Sequence, residues 1–240
     1  MQSSVLVDHA TDGTVTLNEY EARNVLREYD IPCPTEVQLD YDETKSATDY
    51  RGDLEAQSGT PAFPAYVKVL SRDVSSMSDA GGIQRVPSEE AFVDAVQEVL
   101  VNVDEYDPSA TIDGILVSED VAGETRELFV GASVDPQFGH VVSFGVGGIY
   151  VEVYEDVEFR TVPLDRSDAE SMLDDIEGSD LLDSFRGMDP VDREALTETI
   201  LRVSTLLEEN PEVTEIDINP LMAGPEGVVA SDALLSFEAD

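Results

Sequence analysis

The chain is poor in cysteine, histidine and basic residues, and each shortage excludes a class of protein. Among its 240 residues there is one cysteine, Cys33, so no disulfide can form within the chain. The two histidines, His9 and His140, give no basis for a serine–histidine–acid catalytic set. With 13 basic residues against 53 acidic ones there is no basic stripe, and nucleic acid is not expected as a partner.

Long apolar runs are also missing. No run approaches the roughly 18 residues that a membrane-spanning helix needs. The first residues, Met1–Ser4, do not have the basic segment of a secretory signal. We therefore expect a soluble, cytoplasmic protein without membrane contact.

Negative charge, in contrast, is abundant, at a formal net of −40. Only Lys45 and Lys68 are lysines, against 11 arginines, and the acidic residues are spread along the chain rather than gathered in a tail. The pattern resembles proteins of halophiles that accumulate molar KCl, where a Debye length of about 3 Å screens such a surface. An acidic mimic of nucleic acid is the less favoured alternative, because the acids alternate with ordinary amphipathic patterns.

Hydrophobic residues make up 41% of the chain, which is enough for one large domain or two lobes. We predict an N-terminal arm over residues 1–13, a first lobe over 14–110 and a second lobe over 111–240. The first lobe alternates a helix that starts at Asn18, a strand over 35–39, a helix over 43–57, a strand over 66–70, a loop over 71–82 and a helix that Ser88 caps and that runs to about 101. The second lobe is predicted to hold strands over 112–118, 126–134, 140–144 and 157–162, helices over 167–176 and 192–209, and a closing hairpin. The sum is an α+β protein whose two lobes enclose a cleft, with antiparallel sheet in the second lobe.

The closing hairpin has one polar face. Residues 213–219 alternate with period two, so their polar side chains lie on one face and two isoleucines on the other. The polar residues are Glu215, Asp217 and Asn219. Pro220 cannot donate to a ladder, so regular pairing should falter there. The sequence Gly-Pro-Glu-Gly at 224–227 is typical of a type I turn, after which 228–233 returns as a strand.

The hairpin also predicts a metal site. If it is symmetric about residues 225 and 226, Asn219 lies opposite Asp232 with the two Cβ atoms roughly 4.5–5.5 Å apart. Amide and carboxylate oxygens at that separation suit Mg²⁺, which completes its shell with water and phosphate oxygens. Asp217, on the same face, is a third candidate ligand. The alternative is a polar, solvated face, which we favour less because the apolar side indicates a packed sheet.

Two cations are candidates for phosphate contact. Lys68 lies in the apolar strand 66–70 of a chain almost without lysine, so we favour an anion in the cleft over a side chain that extends into solvent. For Arg160, in the strand 157–162, phosphate contact and a structural ion pair are equal alternatives. Gly147 and Gly148 could offer backbone N–H groups to a phosphate, or they form only a hairpin turn.

Taken together, these segments resemble the ATP-grasp β subunits of the ADP-forming acyl-CoA synthetases, the acetate–CoA ligases that form ADP. The resemblance covers residues 17–232. Its motifs are LNEYEA at 17–22, VKVLS at 67–71, SDAGG at 78–82, DPQFG at 135–139, FGVGGIYVE at 144–152, FR at 159–160 and EIDINPL at 215–221.

The resemblance implies an ATP-grasp fold with ATP or ADP and Mg²⁺ bound in the cleft. Lys68 would bind nucleotide phosphate and Arg160 would lie near the terminal phosphate. Glu119 to Val121 would form the adenine-facing hinge between the lobes, and Glu127, which otherwise caps a sheet edge, would lie near the ribose. Asn219 and Asp232 would hold Mg²⁺.

One loop departs from the family. Where the family has His-Lys-Ser-Asp, this chain has Ser76-Met77-Ser78-Asp79. Ser76 replaces the phosphoryl-accepting histidine, and a serine with its ordinary pKa is a far poorer acceptor near neutral pH. Either phosphate passes directly between the histidine of an α subunit and the nucleotide, or the chain has lost full turnover.

Three functions follow from these observations. The leading one is the nucleotide-binding β subunit of an ADP-forming acyl-CoA synthetase, which interconverts acyl-CoA, ADP and phosphate with acid, CoA and ATP through acyl-phosphate and phosphohistidine intermediates. A separate CoA-binding α subunit is the expected partner, since 240 residues leave no room for its domains. The alternatives are a catalytically weakened ATP-binding module that regulates or scaffolds a partner, and a subunit of a succinyl-CoA-synthetase-like ATP-grasp ligase.

Overall fold

The computed structural model describes residues 13–74, 76–121, 123–147, 156–184 and 186–239. They divide into two compact units. The large unit contains the residues up to Cys33 and those from Val121 onward, and the small unit contains Pro34–Asp120. In each unit helices pack on an antiparallel sheet, so the predicted α+β class is confirmed.

Helices and strands alternate only in the first part of the chain, whereas among the described elements strands follow one another over residues 114–161 and again over residues 213–239. The described strands are β1 (Gly13–Thr16), β2 (Glu36–Asp40), β3 (Ala65–Leu70), β4 (Ile83–Val86), β5 (Gly114–Glu119), β6 (Arg126–Asp135), β7 (Gly139–Val146), β8 (Val157–Thr161), β9 (Val213–Gly224), β10 (Gly227–Ala230) and β11 (Leu234–Ala239). The described α-helices are α1 (Glu19–Glu28), α2 (Ala47–Ala56), α3 (Phe92–Tyr106), α4 (Arg166–Asp175) and α5 (Arg193–Glu209). Within the described ranges, no helix combines the length and apolarity needed to cross a bilayer.

The small unit is a sheet in the order β2-β5-β3-β4 with all neighbours antiparallel. Its core lies between the sheet and the helices α2 and α3, where Val67 and Val69 are buried. The strand predicted over 112–118 was assigned to the second lobe, and this assignment is wrong. Observed as β5, it belongs to the small unit because it pairs along both edges, with β2 and with β3.

The large unit is a sheet in the order β1-β11-β9-β6-β7-β8, with β10 also paired to β9. The predicted meander over 126–162 is confirmed as β6, β7 and β8. One face of the sheet packs against α1, α4 and α5 through side chains such as Leu26, Met172 and Ile200, all buried. The opposite face carries none of these helices, and we call it the open face.

The N-terminal segment belongs to the large unit, which differs from the predicted boundary of 14–110 for the first lobe. The helix α1 begins as predicted: Asn18 accepts a hydrogen bond from the Glu21 N–H, and the Glu21 carboxylate accepts one from Asn18, each at 3.0 Å. Its apolar stripe then packs into the core of the large unit. The strand β1, which was not predicted, pairs with β11 at the sheet edge. Residues 1–12 of the predicted arm lie outside the described residues.

Two predicted helices have different bounds. The helix predicted over 43–57 begins only at Ala47, because the Asp49 carboxylate accepts a hydrogen bond from the Ser46 N–H at 2.8 Å and closes a capping box there. The helix predicted to follow Ser88 starts as a 3-10 turn, becomes α-helical at Phe92 and continues to Tyr106. The other helix predictions, over 167–176 and 192–209, are each confirmed within one residue as α4 and α5.

The hairpin register is confirmed on both sides of an interruption. Leu221 pairs with Ala230, and Asp217 pairs with Leu234, as symmetry about residues 225 and 226 requires. The predicted single return strand over 228–233 is wrong at its end, since β10 stops at Ala230 and β11 begins at Leu234. The interruption faces Pro220, which has no N–H to donate to the ladder.

Candidate functional site

The polar residues of β9 lie on the open face of the large unit. Ile216 and Ile218 are buried in the core, whereas Asp217 between them is exposed. The ladder continues across the sheet from Asp217 to Gly131, then to Ser143 and Phe159, so these residues share the open face. The predicted separation of polar and apolar residues is therefore confirmed for residues 215–218.

The residues predicted to bind metal lie at the hairpin interruption, Asn219 on β9 and Asp232 in the segment between β10 and β11. Asn219, half-buried, precedes Pro220 through a cis peptide bond. Across from it, the Ser231 N–H donates to the Pro220 carbonyl at 3.0 Å. Asp232 follows at once, and its Oδ1 accepts a hydrogen bond from the Ala233 N–H at 2.8 Å. One oxygen of this carboxylate is thereby oriented by the backbone.

Asp217 has an altered acidity at this place. Desolvation by the surrounding protein, followed by the charges of Asp232 and Glu215, raises the pKa of Asp217 from its ordinary 3.8 to about 6. The Asp217 side chain reaches the surface, while the surrounding protein removes part of its water shell. The carboxylates of Asp232 and Glu215 add negative charge at this place, which a divalent cation would relieve.

The donor set is suited to a lightly held cation. Two aspartates and one asparagine offer oxygen ligands, which Mg²⁺ prefers, and water and phosphate oxygens complete its shell. Within the described ranges, no group of three or more histidine, cysteine, aspartate or glutamate side chains could hold a metal ion. The oxygen donors of these three residues fit Mg²⁺, which is commonly bound through one or two carboxylates plus phosphate oxygens.

Lys68 occupies a buried position in the small unit. It lies on β3 with 6% of its surface exposed, opposite Ile83 on β4 and Leu116 on β5. Its neighbours Val67 and Val69 point into the core beneath α2 and α3, so Lys68 faces the other side of the sheet. A buried ammonium group requires an acceptor. Contact between Lys68 and a nucleotide phosphate stays a prediction.

The predicted hinge coincides with a division of the chain. The small unit ends at Asp120 and the large unit resumes at Val121. Glu119 closes the end of β5: its N–H donates to the Thr35 carbonyl at 2.8 Å, and its Oε2 accepts from the Thr35 N–H at 3.0 Å. Val121 lines a surface cavity of about 790 Å³ in the large unit, together with Met222 and the hairpin turn.

Glu127 and Gly147 are connected by a backbone hydrogen bond. The Glu127 side chain is exposed, and its position two residues before Phe129 on β6 places it toward the open face. Its carbonyl accepts the Gly147 N–H at 2.8 Å. A Cβ at position 147 would lie 2.5 Å from the Leu128 carbonyl oxygen, so the glycine permits close approach of the two strands. This N–H is already bonded to a backbone carbonyl, and Gly148 lies outside the described residues.

Arg160 lies on the face opposite Asp217. It pairs with Val142, whose side chain is in the core, and it bonds to Glu158 at 2.9 Å and to Asp175 on α4 at 2.6 Å. These hydrogen bonds, that of Glu158 first, raise the pKa of the Arg160 guanidinium. The contacts favour the alternative of a structural ion pair, and the structure does not bring Arg160 together with Asn219 and Asp232.

Ser76 caps a turn in the loop after β3. Its Oγ accepts the Asp79 N–H at 3.3 Å, and its carbonyl accepts the Ala80 N–H at 3.1 Å. Met77, which replaces the lysine of the family, packs against the core of the small unit. The residues at this position therefore serve local structure.

Sequence reasoning missed one residue beside the predicted metal site, Arg23 on α1. Its side chain is fully buried and reaches the carbonyl of Ser231, next to Asp232. The signal was present in the sequence, because an arginine stood beside the apolar stripe Ala22, Val25 and Leu26 with Glu19 four residues before it.

Comparison with known proteins identifies the family. A family model described as the ATP-grasp domain matches residues 8–236. The chain belongs to the ATP-grasp family. This ATP-grasp chain is 36% identical over 231 residues to the β subunit of acetate–CoA ligase (ADP-forming) I of Pyrococcus furiosus, a match that covers 95% of this chain and 94% of that protein.

The ATP-grasp chain also resembles part of a longer protein and a solved structure. It is 41% identical over 170 residues to acetate–CoA ligase (ADP-forming) I of Archaeoglobus fulgidus, covering 71% of this chain and 25% of that protein. An acetyl-coenzyme A synthetase of Ca. Korarchaeum cryptofilum, in complex with coenzyme A, Ca-AMPCP and HgCl⁺, superposes with a TM-score of 0.84 at 37% identity and covers 93% of each chain. The resemblance stated from the motifs is confirmed, as is the ATP-grasp fold.

Proposed function

We propose that this chain is the nucleotide-binding β subunit of an ADP-forming acyl-CoA synthetase. With a separate CoA-binding α chain it would interconvert acyl-CoA, ADP and phosphate with acid, CoA and ATP. The observation that carries the proposal is the end-to-end match, 36% identical, to a protein that is itself named a β subunit. The match to 25% of a longer ligase supports a division of the reaction between this chain and a second one.

Asn219 and Asp232, with Asp217 beside them, are proposed to hold the Mg²⁺ that accompanies ADP or ATP. Their oxygen donors, the confirmed register and the raised pKa of Asp217 support this assignment. When bound, Mg²⁺ supplies neutralisation of the phosphate charge during phosphoryl transfer. The protein's part is to hold the two ligands across the hairpin interruption at a fixed separation.

The nucleotide contacts are proposed to come from two side chains and the segment that joins the two units. The buried ammonium group of Lys68 binds a phosphate, and Glu127 accepts hydrogen bonds from ribose hydroxyls. The segment from Glu119 to Val121 contacts the base. Arg160, tied to Glu158 and Asp175, is proposed to join β8 to α4 rather than to touch the terminal phosphate.

Phosphate is proposed to pass directly between ADP and a histidine of the partner. Ser76 is engaged in a turn, and a hydroxyl of ordinary pKa is a weak acceptor. The described histidine, His140, has its Nε2 at 2.7 Å from the Val213 carbonyl oxygen. The second candidate, a catalytically weakened module that regulates a partner, is favoured by the same missing acceptor.

The metal assignment is tested with Asp232→Ala in molar KCl, by calorimetric titration of ADP at a series of Mg²⁺ concentrations. We expect wild-type affinity to rise with Mg²⁺ and the variant to lose this dependence, because a ligand charge is removed while the buried faces remain. Glu226→Ala, which removes one charge from the exposed turn of the same hairpin, is the control. Equal Mg²⁺ dependence in wild type and Asp232→Ala would remove Asp232 from the site.

The reaction is tested by adding a CoA-binding α chain and measuring ATP consumption that depends on both acid and CoA. The proposed function predicts turnover only when both chains are present. Mg²⁺-dependent nucleotide binding without turnover, in the presence of the α chain that co-purifies at high salt, would instead establish the weakened module.

A further inference from the structure

A fully buried arginine lies beneath the proposed metal site. Arg23 on α1 has no exposed surface. Its Nη2 donates both to the Glu19 carboxylate and to the Ser231 carbonyl. Both contacts use the same nitrogen, so this end of the guanidinium is held between Glu19 and the backbone of Ser231.

The peptide that Arg23 holds is anchored on both sides. The Ser231 N–H donates to the Pro220 carbonyl at 3.0 Å, and its own carbonyl accepts from Arg23. One residue earlier, the Ala230 N–H donates to the Pro32 carbonyl at 2.8 Å. Hydrogen bonds from α1 and from the segment after it therefore hold the chain immediately before Asp232.

These hydrogen bonds lie where the chain leaves the regular strand pairing of the sheet. Residues 231–233 lie between the end of β10 and the start of β11, opposite the proline that interrupts the ladder. Asp232 thus receives its position from contacts outside the regular ladder. Mg²⁺ requires near-ideal octahedral geometry at about 2.0–2.1 Å, so a ligand held on an unsupported segment binds it poorly.

We propose that Arg23 is a positioning residue for the metal site: it holds the Ser231 carbonyl so that Asp232 faces Asn219. Glu19 orients the guanidinium from the preceding turn of α1. The inference rests on the proposed function, because it assigns the residue a role in Mg²⁺-dependent nucleotide binding. Arg23 acts through the backbone and touches neither metal nor nucleotide.

The test is the Mg²⁺ concentration that gives half of the maximal increase in ADP affinity, measured by calorimetry in molar KCl on the full chain. Partners that orient metal ligands typically change metal affinity by 10–100-fold when removed. We expect Arg23→Gln to raise the midpoint about tenfold at the lower end of that range, with ADP affinity at saturating Mg²⁺ unchanged. Arg23→Lys keeps the charge but not the fork of donors, and should restore part of the loss.

Two controls separate positioning from general support of the fold. Arg27→Gln makes the same change one turn further along α1, where the side chain contacts Asn24 at 2.9 Å, and should leave the midpoint unchanged. In an Asp232→Ala background, Arg23→Gln should cause no further change in Mg²⁺ dependence. Thermal melting of every variant is followed in the same buffer.

The outcomes distinguish the two proposals. A lower melting temperature for Arg23→Gln with an unchanged midpoint would overturn the inference, as would a shift that persists without Asp232. If Arg23→Gln does not fold, Glu19→Gln is measured instead, because it leaves the arginine but removes the charge that orients it. Glu19→Gln should shift the midpoint in the same direction. No shift would overturn the inference. A wild-type chain whose ADP affinity does not depend on Mg²⁺ would overturn the proposed function itself.

Discussion

At the scale of single residues, the tertiary structure changes the chemistry of Asp217 most clearly. The residue pairs with Leu234 in regular strand geometry, yet the surrounding protein and two neighbouring acids raise its pKa to about 6. The folded chain therefore binds this proton more tightly than the unfolded chain does. As pH rises from about 3.8 to about 6, ionisation of Asp217 lowers folding stability rather than raising it.

We predict that metal-free protein shows a carboxylate titrating near pH 6 that is absent in Asp217→Asn. In Asp232→Asn the pKa of Asp217 should fall toward its ordinary value, because the charge of Asp232 is the second cause of the shift after desolvation. Carbon-detected NMR of aspartate carboxyl groups across pH 3–8 measures both. An unchanged pKa in Asp232→Asn would contradict the proximity of the two carboxylates.

At the scale of elements, the loop over 71–82 has local contacts for the two residues, Ser76 and Met77, that differ from the motif it resembles. In place of a histidine and a lysine, Ser76 caps a turn and Met77 packs inward. The Gly82 N–H donates to the Met77 carbonyl at 2.8 Å, so the loop is closed by its own backbone. The loop therefore has a defined conformation without a histidine at position 76.

The loop predicts the labelling of the two subunits. The isolated chain, incubated with Mg²⁺ and terminally labelled ATP, should form no acid-labile, base-stable phosphoprotein, and a mixture with the α chain should label the α chain alone. Ser76→His should restore labelling only in part, since Met77 lacks the positive charge of lysine. Stable phosphohistidine mapped to His140 of the unmodified chain would contradict this account.

The junction of β6 and β7 predicts a difference between two glycines. A Cβ at Gly147 would meet the Leu128 carbonyl oxygen at 2.5 Å, whereas one at Gly131 would meet the rotatable Oγ of Ser143 at 2.7 Å. Overpacking of this kind typically costs about 1–3 kcal/mol. We expect Gly147→Ala to lower the free energy of unfolding by about that amount, and Gly131→Ala by less, because a hydroxyl can move and a strand cannot. Urea denaturation at constant KCl measures the free energy of unfolding of both variants. Equal decreases would contradict the expectation that the strand backbone at Gly147 yields less than the hydroxyl at Gly131.

At the scale of the whole molecule, the dominant quantity is the net charge of −40. Arg166 illustrates the balance: this one guanidinium contacts Glu194 at 2.8 Å, Glu170 at 3.6 Å, and Glu198. Since acidic residues outnumber basic ones 53 to 13, pairing can neutralise only a minority of them. The remainder repel one another unless mobile ions screen them.

We predict that the chain needs salt to fold. Dilution from molar salt to about 0.01 M lengthens the screening distance from roughly 3 to 30 Å, so charges across the whole surface begin to repel. Circular dichroism against KCl concentration should show cooperative loss of structure, and sucrose in place of salt should not restore it fully, because it does not screen charge. A native spectrum with sharp melting in millimolar salt would contradict the halophilic interpretation.

Local patterns were sufficient for some features of this protein. The capping box at Asn18 and Glu21 determined the start of α1, because its bonds join residues three apart. The register of the hairpin followed from a two-residue turn, which sets Leu221 opposite Ala230 and Asp217 opposite Leu234. The sequence motifs also identified the ATP-grasp family, which the match over residues 8–236 confirms.

Only the tertiary structure decided how distant segments pair. Nothing local assigns β5 to the small sheet or β1 to the edge of the large one, because both pairings join residues far apart in the chain. The same holds for side chains: strand periodicity could not say which face of β8 carries Arg160, or that Arg23 reaches Ser231 across 208 residues. Charges and donors act through space, so the acidity of Asp217 and the support of Asp232 exist only once the fold has brought their neighbours together.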